Sequence, residues 1–105
     1  MSNRLEIAKS FARDINCEYI DKIILYGSVA RGEDNEDSDI DILIISDYED
    51  KIKDIICEKS FQIVLDQQEL ISANIMSPSW AETIKNFTLM KDIRRDGIVL
   101  GWWKI

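Results

Sequence analysis

Histidine is missing altogether from the 105 residues. That one absence excludes a zinc–histidine centre, a Ser-His-Asp triad and a Cys–His pair. Any acid–base chemistry falls to carboxylates, Lys, Tyr or water. Cysteine is scarce: Cys17 and Cys57 lack metal-ligand spacing and form no disulfide framework. They read as two small buried thiols in a reducing compartment. No apolar run is long enough to span a bilayer. The start, Met1 to Arg13, is polar and amphipathic rather than leader-like, so the expected location is the cytoplasm. An excess of basic residues is absent too. A net charge of −7 and a pI near 4.5 argue against strong nucleic-acid binding by the chain alone. They favour metal ions or a basic partner protein.

The length predicts a single domain over residues 1–105. An apolar content of 46% supplies one modest core, and 31% charged residues argue for a well-solvated surface rather than disorder. Apolar spacing predicts a helix over 2–16, with Leu5, Ala8, Phe11, Ala12 and Ile15 on one face. A short strand over 22–26 ends at Gly27, with a helical turn over 28–32 and a polar loop over 33–38. A second strand over 39–45 is apolar on both faces past its aspartates, and is therefore expected to be central. A helix is expected over 48–58, with Ile52, Ile55 and Ile56 inward, then a third strand over 61–65 and a short helical stretch over 67–71. Ser79 and Glu82 form a capping-box pattern opening a helix to about Asp96, with Trp80, Ile84, Phe87 and Met90 as its buried stripe. Arg94, Arg95 and Gly97 suit its end. A last strand over 98–103 puts Trp102 and Trp103 on opposite faces, one of them open to a partner or packed over the core. The order predicts an α/β or α+β domain with a small mixed sheet.

The chemistry is concentrated in Gly27-Ser28-Val29-Ala30-Arg31-Gly32 and Ser38-Asp39-Ile40-Asp41. Gly27 closes an apolar strand and, without a Cβ, permits a sharp exit and close backbone approach to a ligand. Ser28 adds a hydroxyl, and the amides of the following turn can face a phosphate. Arg31 supplies a cation in the same loop, with an ion pair to the acidic residues Glu33, Asp34, Glu36 and Asp37 as its competing role. Asp39 and Asp41 stand two apart on a strand, so they share a face. Side by side they repel each other, and a divalent cation between them relieves that. Mg²⁺ prefers carboxylates together with phosphate oxygens, and a triphosphate held there could be attacked at its α-phosphorus. Gly-Ser, ten residues, then Asp-x-Asp arises by chance in roughly one chain of this length in a thousand.

Residues 27–41 resemble the signature of the DNA polymerase beta-like nucleotidyltransferase superfamily, and look closest to its minimal nucleotidyltransferase group. The resemblance covers nearly the whole chain. It implies a nucleotidyltransferase fold, a mixed sheet of about four strands with helices mainly on one face. Gly27 and Ser28, with Arg31, would bind the nucleotide, and Asp39 and Asp41 would hold Mg²⁺, with two ions possible and ATP as substrate. Members of the group often act as antitoxins to a HEPN-domain toxin, and some transfer AMP to a tyrosine of it; the resemblance thus implies a type VII-like antitoxin that transfers AMP to a HEPN toxin partner. The superfamily usually carries a third carboxylate on the next strand. On the strand expected over 61–65, Gln62, Val64 and Asp66 share a face. Asp66 is the candidate third catalytic and metal-binding acid, or else a helix cap or surface residue, and without that acid catalysis would be weak or lost. A catalytically weak antitoxin that acts by binding, or a small-molecule transferase needing a second subunit, are the alternatives.

Overall fold

A computed structural model describes residues 3–101. The elements run α1 (Arg4–Ile15), β1 (Lys22–Tyr26), α2 (Gly27–Arg31), β2 (Ile40–Ile45), α3 (Glu49–Gln67), β3 (Ile71–Met76), α4 (Pro78–Thr83), α5 (Thr88–Asp96) and β4 (Ile98–Gly101). The four strands form one mixed sheet in the order β3-β2-β1-β4. β1 is antiparallel to β2 and to β4, and β2 is parallel to β3. β2 therefore lies inside the sheet, as its two apolar faces predicted.

Strand parity divides the sheet into two unlike faces. Ile23 and Leu25 of β1 and Ile40, Ile42 and Ile44 of β2 are fully buried on one face. There they pack with Ala8, Phe11, Ala12 and Ile15 of α1 and Ile52 and Ile56 of α3, the two longest helices, in the main core. The other face carries Ile24 and Tyr26 of β1 and Leu43 and Ile45 of β2. A smaller apolar cluster forms on it, with Ile84, Met90 and Ile93 brought by α4, α5 and the turn between them.

Three expected elements come out differently. Residues 61–65 are not a strand but the second half of α3, and the strand comes later, at Ile71–Met76. Ile52, Ile56 and Ile63 keep helical spacing against the core, so tertiary packing extends the helix through a β-prone stretch. Its outer side leaves Phe61 62% and Leu65 64% exposed. The helix ends at Gln68, which takes a left-handed cap conformation at φ 57°. The expected short helix over 67–71 is therefore replaced by this cap and the entry to β3.

The helix expected from Ser79 to Asp96 is two. α4 is capped by Ser77, whose hydroxyl accepts from the Trp80 amide, with Pro78 in the first turn. Glu82 pairs with Lys85 at 2.7 Å instead of closing a capping box. At about 100° per residue, one continuous helix would turn Met90 roughly 240° from Ile84. The break at Phe87 resets the phase so that Ile84, Met90 and Ile93 all face inward. Trp80 and Phe87 fall outside the buried stripe, at 55% and 65% exposed.

Both cysteines are free, but Cys17 is half-buried and Cys57 exposed, so the buried-thiol reading fails for Cys57. Among the described residues, no helix is long and apolar enough to cross a membrane. Trp102 and Trp103 lie outside the described residues.

Candidate nucleotide and metal site

The β1 strand ends at Tyr26 and the chain turns at once into α2, with Gly27 at φ +76°. Only glycine takes that conformation without strain. Space is a second constraint. A Cβ placed on Gly27 would run into the Asp41 carboxylate, whose Cγ would be 3.2 Å away. Asp41 stands opposite Tyr26 in the antiparallel register of β1 and β2. The bend and the acid are thus brought together by strand pairing, and the missing side chain at Gly27 leaves room for the carboxylate. The α2 turn ends at a second left-handed glycine, Gly32, whose amide reaches back to Ser28 and Val29 carbonyls.

Asp39 is the exposed residue just before β2, and Asp41 is half-buried on it. Burial first, and the negative charge of Asp39 second, push the Asp41 carboxyl above its ordinary value, while Arg31 pulls it down. Both acids and the guanidinium therefore lie within electrostatic reach of one another. A half-buried carboxylate facing a like charge is the donor set that a divalent cation stabilises. Asp39 and Asp41 have the donor chemistry that could hold a Mg²⁺ ion. Arg31 forms an exposed ion pair with Glu33 at 3.1 Å, the competing role expected for it. It also lines a cleft of about 160 Å³ with Tyr26, Gly27, Leu89, Asp92 and Ile93.

Asp66 does not join this group. It lies exposed in the last turn of α3, not on a strand beside β2. Among the described residues no three acidic, His or Cys side chains come together as a metal site. The error follows from the helix misread as a strand. The strand that does pair with β2 sets Ser72 opposite Asp41 and Asn74 opposite Leu43, and β3 contains no acid at all.

Two participants escaped the sequence reading. Arg4, on α1, donates from Nη1 to Asp34 at 2.7 Å and to the Asn35 carbonyl at 2.6 Å, from Nη2 to the Glu36 carbonyl, and from Nε to Glu69 at 2.6 Å. It clamps the loop leading into Asp39. The available signal was an early cation, Arg4, in a chain whose acids crowd residues 33–37. The second is Asn74, whose Nδ2 donates to the Tyr26 hydroxyl at 3.2 Å.

A family model described as "Nucleotidyltransferase domain" matches residues 5–90. A relative from Methanocaldococcus jannaschii, "Putative protein adenylyltransferase MJ0604", is 33% identical over 101 residues, covering 93% of this chain and 98% of that one. A toxin-antitoxin crystallised with AMP-PNP superposes with a TM-score of 0.57 at 18% identity, over 97% of this chain and 73% of that chain. A mutant of the toxin-antitoxin MntA-HpeT does so with a TM-score of 0.57 at 19% identity, over 99% and 76%.

Proposed function

The chain belongs to the nucleotidyltransferase domain family, and from that premise we propose that it transfers AMP from Mg²⁺-bound ATP to a hydroxyl of a partner protein, a HEPN-type toxin, in the cytoplasm. One observation carries the reading: the Asp41 carboxylate is seated against the Gly27 bend at the start of α2. The Gly27 and Ser28 amides, being at a helix start, lack intrahelical partners and are free to face phosphate oxygens. Arg31 adds positive charge beside them. Asp39 and Asp41 would hold Mg²⁺, which when bound neutralises the polyphosphate and the departing pyrophosphate. The acceptor oxygen forms a bond to the α-phosphorus as the bond to pyrophosphate breaks, and its proton passes to a carboxylate, Lys, Tyr or water, no histidine being present. The protein adenylyltransferase name of the M. jannaschii relative supports a protein acceptor, and the toxin-antitoxin neighbours support a toxin as that protein.

A second reading has its own support. With β3 devoid of acids, a chain that neutralises its toxin mainly by binding is the alternative. Incubation with purified partner, Mg²⁺ and labelled ATP separates the two. Label on the partner, lost in the Asp39→Ala, Asp41→Ala double variant, is the expected result. No label, with neutralisation intact in that variant, eliminates the transfer reading.

A further inference from the structure

Clamping both the attacking and the leaving oxygen of a phosphoryl displacement commonly takes two cations about 3.5–4 Å apart. Two cations need several anionic donors between them. The face that carries Asp41 offers few. Tyr26 stands beside Asp41 on β1, and Ser72 stands beside it on β3. One step along, Leu43 is followed across the sheet by Asn74. None of these four is anionic.

Asn74 is the one that reaches across the sheet. Its strand and that of Tyr26 are separated by β2, yet its amide donates to the Tyr26 hydroxyl. The Asn74–Tyr26 bridge therefore crosses over β2 beside Asp41. It sets a neutral amide on the sheet face that carries Asp41. The nitrogen offers a metal no lone pair, and Oδ1 is at best a neutral ligand that brings none of the charge a carboxylate would.

We infer that Asn74 makes this a one-cation site: Asp39 and Asp41 hold a single divalent ion on the polyphosphate, and the side of the attacking oxygen is left without one. The inference rests on the proposed nucleotide-binding reading and deepens it. It makes binding of the metal–nucleotide complex and its transfer separable in this chain, with transfer slow because the acceptor oxygen is neither coordinated nor stripped of its proton by a third carboxylate. The position is exposed, so exchanging its amide for an acid does not disturb the core.

Counting bound Mn²⁺ tests it. The full chain is titrated with Mn²⁺ in the presence of saturating α,β-methylene-ATP, and free Mn²⁺ is read by electron paramagnetic resonance. The wild type and Asn74→Ala are expected to retain one Mn²⁺ per chain, and Asn74→Asp two, with spin–spin broadening from the adjacent ions. Asn74→Asp is also expected to raise the rate of label transfer at least tenfold. Two ions on the wild type overturn the inference while leaving the nucleotidyltransferase reading intact. One ion on Asn74→Asp overturns the assignment to this residue. No nucleotide-dependent Mn²⁺ on the wild type overturns the functional reading itself, and the inference with it.

Discussion

Gly27 is held by two independent constraints, a positive φ and a carboxylate where a Cβ would be. Gly27→Ala must therefore either strain the turn or push Asp41 aside. The expected cost is about 1–3 kcal/mol of stability, together with loss of metal-dependent nucleotide binding by calorimetry. Full binding in a folded Gly27→Ala protein would remove the bend from the site. Asp41 itself carries a cost. Its carboxyl is raised by burial and by Asp39, so in the metal-free protein the folded state binds its proton more tightly than the unfolded state does. Stability from this group is greatest below the unfolded value and is lost as pH rises through the higher folded value. Asp41→Asn in EDTA should raise Tm at pH 7 by less than roughly 4 °C, because partial exposure screens the repulsion. The gain should vanish near pH 3. Adding Mg²⁺ should stabilise the wild type and not the variant.

At the scale of elements, the loop into Asp39 is held from outside by Arg4 on α1, which is itself paired to Glu69 at the exit of α3. Arg4 holds the Asp34 carboxyl below its ordinary value through their hydrogen bond. A depressed carboxyl contributes stability above its unfolded value and loses it as pH falls through the folded one. Arg4→Met should thus lower Tm at pH 7 by a few degrees, with a smaller gap near pH 3, and should weaken nucleotide binding by loosening Asp39. Unchanged affinity would make the clamp purely structural. Neither Arg4 nor Asn74 was legible in advance, because each acts on residues far along the chain. The turn and the two aspartates were legible because their spacing is local. Residues 61–65 deceived for a physical reason: Phe61, Ile63, Val64 and Leu65 suit either a strand or the apolar side of a helix. The real strand, Ile71–Met76, hid behind Ser72 and Asn74, which face the site rather than the core. A strand whose outer face serves a ligand shows only half of its hydrophobic pattern.

The whole molecule assigns stability and chemistry to opposite faces of one sheet. Along β2, Ile40, Ile42 and Ile44 are fully buried under α1 and α3. Asp41, between the first two, points to the other side, where α4 and α5 cover Leu43 but leave the strand's start open. Neighbouring residues should therefore have unlike effects when changed. Ile42→Ala should cost about 2–5 kcal/mol in urea unfolding, from lost burial and a cavity. Its folded fraction should still bind nucleotide, since the register that sets Asp41 against Gly27 is carried by backbone pairing. The Asp39→Ala, Asp41→Ala double variant should do the reverse, keeping or gaining stability as like-charge repulsion is removed, and losing metal-dependent binding. Nucleotide with Mg²⁺ should raise the Tm of the first protein and leave the second unmoved. If the double variant lost as much stability as Ile42→Ala, the acids would be part of the scaffold, and the separation of the two faces would not hold.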